Sequence, residues 1–465
     1  MLVFGLEDPL ICACTAILTL IFILFQSRRF LRLTPTCFVV YLLPSISFYN
    51  IFGDSALFFH SYLCRLRRNG DFYDCTNYFF EIEQEEGLKQ YGYSKEHRPN
   101  PIVQMGLFMD GDGMPLAFSI NTGNTNEQVT LKPLEKKILE EFELSKFVVC
   151  TDAGLSSVDN RKYNNIGGRA FITTQSIKKL KKHLKEWALE QTGWRLPSKN
   201  GEYDISLIED SDYLKKIAKV YGENIDIHSE TFYKERWIKE DELEQKMIVT
   251  FSIKYKNYQR SIRSEQIERA EKLIKSNPTK LKKANQNDYK RFIKKLNVTN
   301  EGEIAEKELY SVDTNVIAAE EKFDGFYGIC TNLDDSPFEI IKINHRRWEI
   351  EECFRIMKSE FKARPVYLKR EERIVAHFTT CFISLLIYRI LEKRLGEKFT
   401  CHQIIRELRE MNLLEIPHEG YIPAYTRTDF TDALHDSFGF RTNYQITRLN
   451  HMKKYFRDSK NSKIL

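Results

Sequence analysis

No lysine occurs before Lys89, although lysine and arginine together number 70 in this chain of 465 residues. That absence sets residues 1–70 apart from the rest, and the same stretch holds two apolar runs, Pro9 to Phe25 and Thr36 to Phe48. The first run is borderline for a membrane span, which needs about 20 apolar residues. Glu7 and Asp8 stand where a signal peptide would carry positive charge, and Arg28, Arg29 and Arg32 follow the run. If it spans a membrane, those arginines place its C-terminal end in the cytoplasm. Two accounts stay open: a membrane anchor, or a segment translated from a disrupted or out-of-frame gene, in which Phe, Leu, Ile and Ser enrichment is expected.

Other absences exclude whole classes of chemistry. The ten cysteines are scattered without paired zinc spacing, and Cys12-Ala13-Cys14 is too close and too isolated to make one. Such usage fits a reducing compartment. Neither a glycine-rich phosphate loop nor a Ser-His-Asp arrangement is visible. The net charge of +5 permits DNA binding without arguing for it. The length leaves room for two or three domains with good cores.

What is present centres on the segment Asn344 to Lys358. Helical spacing puts Arg347, Glu351, Arg355 and Lys358 on one face and Ile350, Phe354, Met357 and Phe361 on an adjacent apolar stripe. A carboxylate among three cations suits a divalent metal beside the phosphates of a nucleic acid, but equally a solvated helix with i,i+4 ion pairs. Two upstream acids bear on the choice. Asp74 lies in the aromatic run Asp71 to Phe80, which reads as a strand, and Asp152 closes the apolar run Phe147 to Thr151 ahead of Ala153-Gly154. Both are expected at strand ends, where a buried carboxylate has to be paired, hydrogen-bonded or metal-bound. Between them, Gln104 to Met109 and Pro115 to Ile120 form a hairpin through Asp110-Gly111-Asp112-Gly113, Thr130 to Phe142 an amphipathic helix, and Ala170 to Thr174 a further strand. This order predicts a mixed sheet in which the first and fourth strands are neighbours, bringing Asp74 to Asp152.

Arg347, Glu351 and Lys358 match in spacing the Tyr-x2-Arg-x3-Glu-x6-Lys signature, and Asp74-Cys75-Thr76 and Thr151-Asp152-Ala153-Gly154 look like two aspartate motifs. Tyr91 to Pro99 and Gly123 to Glu127 are similar to further segments of the same enzymes. On these residues the chain resembles the DDE transposases of bacterial insertion sequences, from about Asp71 to near the C-terminus. It departs from the signature at Asn344, where the family has tyrosine. The resemblance implies an α/β, ribonuclease-H-like mixed sheet with flanking helices and an inserted strand-rich domain between the second aspartate and the glutamate. It implies two Mg2+ ions, for which Mn2+ can substitute, held by the catalytic residues Asp74, Asp152 and Glu351. It further implies double-stranded DNA as partner at transposon ends and target, a homodimer in the active complex, no small-molecule cofactor, and a bacterial cytoplasmic location. Arg347, Arg355, Lys358 and Arg98 are the DNA-contacting candidates, as cations that position the backbone without reading sequence.

The expected division is 1–70, the atypical hydrophobic segment; 71–177, the first part of the catalytic domain; 178–325, the insertion; and 326–465, the second part with C-terminal helices. Within the insertion Met247 to Tyr255 reads as a strand, Ser264 to Lys275 as a charged helix and Lys280 to Lys295 as a basic run. Trp237, flanked by cations, is either a stacking platform for an unpaired base or a packing residue. Ala363 to Tyr367 breaks the Glu351 helix, and Glu371 to Leu395 resumes one whose arginines speak for a packed core helix rather than a span. The leading function is magnesium-dependent cleavage and strand transfer. A degenerate remnant that only binds DNA and a membrane-anchored protein with structural acids are the alternatives.

Overall fold

The computed structural model describes residues 70–141, 147–197, 199, 201–221, 226, 228–276, 287–298, 304–443 and 446–461. The expectations for the segment before Gly70 and for the basic residues 280–286 fall outside them. The chain is mixed α/β and forms two compact units, one running up to Ala170 and again from His345, the other spanning Phe171–Asn344.

The first unit opens with β1 (Asp71–Phe79), followed by β2 (Ile102–Met109) and β3 (Pro115–Thr122). β1 and β2 show no polar alternation because both their faces are covered: every residue of β2 is buried, and Phe72, Tyr73, Cys75 and Tyr78 of β1 are fully buried. The β2–β3 turn is built by Asp110, whose Oδ1 accepts the N–H groups of Asp112 and Met114, both at 2.8 Å. Gly113 closes it at φ +82°, a conformation that favours glycine. α1 (Leu131–Glu141) buries Leu131, Leu134 and Ile138 at helical spacing, and β4 (Phe147–Thr151) and the short α2 (Val158–Tyr163) follow. The strand order is β3-β2-β1-β4, with β1 antiparallel to β2 and parallel to β4. First and fourth strands are therefore neighbours, as the element order predicts.

Beginning at β5 (Arg169–Gln175), the second unit continues through α3 (Lys182–Leu189), α4 (Ser211–Tyr221), β6 (Phe232–Glu240), β7 (Leu243–Phe251) and α5 (Ile253–Lys275). It then adds β8 (Ile293–Val298), β9 (Ile304–Val312), α6 (Thr314–Glu321), β10 (Phe326–Thr331) and α7 (Pro337–His345). Its strands run β5-β10-β7-β6, all antiparallel, with β8 and β9 as a separate hairpin. The strand expected over Met247 to Tyr255 lies four residues earlier. It stops at Ser252 because that side chain accepts the Tyr255 N–H at 3.1 Å and caps α5, which also explains why the charged helix starts well before Ser264.

Returning to the first unit, the chain forms α8 (Trp348–Ser359), α9 (Glu371–Arg394), α10 (Cys401–Glu410), β11 (Leu413–Ile416), β12 (Gly420–Pro423), α11 (Asp429–Phe438), β13 (Thr447–Arg448) and α12 (Leu449–Asn461). α8 buries Ile350, Phe354 and Met357 of the expected stripe, and Met357 Sδ accepts the Tyr78 hydroxyl of β1 at 3.7 Å. α9 is long and apolar enough to cross a membrane, by length and composition. Its Phe378, Cys381 and Leu385 are buried in this unit, and Phe382 packs on Phe118 of β3 with ring centroids 4.9 Å apart.

Candidate active site

Asp74 stands inside β1 rather than at its end, because pairing with β2 carries the strand on to Phe79. β4 is the shorter neighbour. Its parallel register sets Phe72 opposite Cys150, and two residues further on Asp74 and Asp152 come level, the latter just beyond the last residue of β4. Asp74 Oδ1 accepts the Cys75 N–H at 2.7 Å, and Asp152 Oδ1 accepts those of Gly154 and Leu155, both at 2.9 Å. Each carboxylate is thus fixed by backbone donors of its own segment.

Burial is the largest influence on the Asp74 carboxyl, and Asp152 adds to it. Lys95, the Cys75 N–H and Arg347 pull the other way, and the group ends pushed up to about 7. The two aspartates are therefore close enough to repel, which is the electrostatic condition that a cation relieves. Glu351 comes from α8 and lines the same cavity, of about 360 Å³, as Asp74. Its side chain is 57% exposed and lies 3.4 Å from Arg347 Nη1, its i−4 neighbour.

Among the cations, Lys358 also lines this cavity, donating to Thr76 Oγ1 at 2.6 Å. Burial and then Lys95 push its ammonium down to about 8. Arg355 borders the cavity but is paired with Glu352 at 2.5 Å, not with Glu351 as the helical face suggests, because the i−3 carboxylate is the nearer partner. Arg98 does not line this cavity: its guanidinium sits 4.2 Å over the Phe79 ring and 3.8 Å from Glu96. Trp237 is on β6 in the second unit, 44% exposed, and the cation over its ring is Lys246 of β7 at 5.5 Å. Asn344, also in that unit, is buried and donates to the Tyr327 hydroxyl at 3.3 Å, so a phenol reaches this position from β10.

Sequence reasoning passed over Lys95 and Arg364, which share the cavity with Asp74. Lys95 is pulled down by burial and more strongly up by Asp74 and Glu127, for a net rise. Its only signal in the sequence was its place within the segment Tyr91 to Pro99.

The three carboxylates supply hard oxygen donors of the kind magnesium takes, and few are needed because that ion keeps several waters. Among the described residues, however, no group of three or more His, Cys, Asp or Glu side chains is arranged to hold a metal ion. The donor chemistry fits, while Glu351 is engaged with Arg347. A family model described as the transposase DDE domain matches residues 78–387, about two thirds of the chain, taking in Asp152 and Glu351 and starting just beyond Asp74. The chain belongs to the DDE transposase family. No curated protein matches it. Among solved structures this chain is similar to the piggyBac transposase synaptic complex with hairpin DNA, determined by cryo-EM, at 7% identity and a TM-score of 0.36. That likeness covers 74% of this chain and 52% of the other, so the chain spans about half the length of that transposase.

Proposed function

We propose that the protein is a magnesium-dependent transposase of the bacterial insertion-sequence type, which cleaves DNA at element ends and transfers the freed strand. The observation that carries this reading is that Asp74 and Glu351, from β1 and α8, line one cavity, with Asp152 level with Asp74 in the neighbouring strand. The order β3-β2-β1-β4, three antiparallel strands and a parallel fourth, supports a ribonuclease-H-like sheet. Asp74, Asp152 and Glu351 would hold the metal. When bound, it would activate a water or 3′-hydroxyl and stabilise the leaving oxygen of an in-line displacement. With a metal bound, Glu351 would turn from Arg347 toward the aspartates, and Arg347 would lie beside a backbone phosphate. Lys358, anchored on Thr76, holds another. Trp237, half exposed on an edge strand of the second unit, serves as a stacking platform for an unpaired base. The active complex is a homodimer on double-stranded DNA.

The test is nicking of a duplex carrying the inverted repeats that flank the gene, with and without magnesium. Asp74→Asn, Asp152→Asn and Glu351→Gln should each abolish it while leaving DNA binding intact. Nicking that survives Asp74→Asn and Glu351→Gln together would sink the assignment. The engagement of Glu351 by Arg347 favours one second reading, a remnant that binds DNA without cutting it. Wild-type protein that binds the duplex but never nicks it would support that reading.

A further inference from the structure

Three cations of the Asp74 cavity come from separate segments: Lys95 from the loop between β1 and β2, Lys358 from the last turn of α8, and Arg364 from beyond that helix. Their side chains are 37%, 15% and 29% exposed, so none hangs free in solvent. Lys95 is rooted by the Cys75 carbonyl and by Glu127 at 3.0 Å. Behind the other two lies one carboxylate, Glu96, which pairs with Arg364 and stands 3.8 Å from Lys358. Lys95 and Lys358 are near enough to repel each other. Each of the three is thus held in place by a carboxylate on the protein side, with its charge at the wall of a half-dried cavity, and a phosphodiester is the anion that a DNA-cutting site presents there.

We propose that Lys95 and Arg364 complete, with Lys358, a seat for a backbone phosphate beside Asp74, and that Glu96 is the positioning residue that sets its spacing. This rests on the reading of the chain as a DNA-cutting transposase. Lys358 and Lys95 supply compact charges, while the planar Arg364 guanidinium can grip two phosphate oxygens at once. Glu96 touches no substrate. Its negative charge weakens overall attraction for DNA, so its value lies in offsetting the repulsion between Lys358 and Arg364 and holding both at the cavity wall.

The experiment measures binding of the full chain to a short random-sequence duplex by fluorescence anisotropy across a salt series, with chelator present so that neither metal nor cleavage enters. Lys95→Met and Arg364→Met should each reduce the slope of log affinity against log salt by about one unit. Lys95→Arg and Arg364→Lys should keep the wild-type slope. Glu96→Gln should bind no more weakly than wild type yet nick the repeat-bearing duplex on the order of tenfold to a hundredfold more slowly, since misplaced cations cost rate rather than charge. Unchanged slopes in both methionine variants overturn the proposal. So does equal loss in the charge-keeping variants, which would indicate a folding defect. Because binding is read without metal, failure of the carboxylate assignment shows only in the nicking assay, and failure of the phosphate seat shows in the slopes.

Discussion

The Lys358 ammonium donates to Thr76 Oγ1 at 2.6 Å, tying the last turn of α8 to β1 two residues past Asp74. The same contact draws the lysine under cover, and burial with Lys95 brings its proton affinity down to about 8. A lysine so placed loses its charge above that pH, whereas an ordinary one keeps it. DNA affinity at low salt should therefore weaken as pH rises through 8, and Lys358→Arg should remove that dependence because a guanidinium stays charged. Anisotropy titrations between pH 7 and 9 check this; an identical decline in Lys358→Arg would assign it to another group.

Asp74 gives the opposite dependence. With its carboxyl pushed up to about 7, the metal-free protein holds a proton there in mildly acid solution. A divalent ion binds the carboxylate form, so magnesium competes with that proton. Magnesium affinity, read by calorimetry, should rise steeply between pH 6 and 8 in the wild type. Asp74→Asn should bind magnesium weakly and with little change over this range. A flat wild-type profile would show that Asp74 is ionised throughout.

The framework of this site could be read from the residues. The apolar run before Asp152, the Asp-Gly turn and the stripe of Ile350, Phe354 and Met357 each carry a local period that the fold keeps. The residues around Asp74 predict a strand end, yet it lies inside a strand, because strand length depends on which partner continues alongside, and β2 outlasts β4. The start of α5 escaped detection because one serine, Ser252, decides it through a cap. Lys95 and Arg364 are illegible for a deeper reason. Their meaning comes from converging with Lys358 across the chain, and no spacing encodes that.

In the second unit, Arg263 and Asp324 form a two-pronged pair at 2.7 and 2.5 Å, with side chains 8% and 5% exposed. Each charge is compensated chiefly by the other, with Arg260 3.6 Å from Asp324 and Glu321 3.5 Å from Arg263. Asp324→Ala leaves a buried guanidinium without its main partner, a change that costs about 3–5 kcal/mol. Denaturant unfolding of the variant should show a loss of that size. A loss under about 1 kcal/mol would mean that water reaches Arg263 freely.

Glu135 of α1 is fully buried, and the Asn164 side-chain amide donates to its Oε2 at 3.0 Å. Burial outweighs that bond and pushes the carboxyl up to about 7, from an ordinary value of 4.5. It also raises Asp71 through the charge it carries when ionised. The sign follows from proton binding: the folded chain holds a proton that the unfolded chain releases above its ordinary value. Stability from this group is complete below about 4.5 and is lost as pH rises through about 7, by roughly 3 kcal/mol at pH 8. Glu135→Gln keeps an acceptor for Asn164 and removes the titration. It should unfold with nearly wild-type stability at pH 4 and be more stable by about 3 kcal/mol at pH 8. Equal stabilities of the two proteins at pH 8 would show that the Glu135 carboxylate is solvated in the folded state and that α1 admits water where it packs.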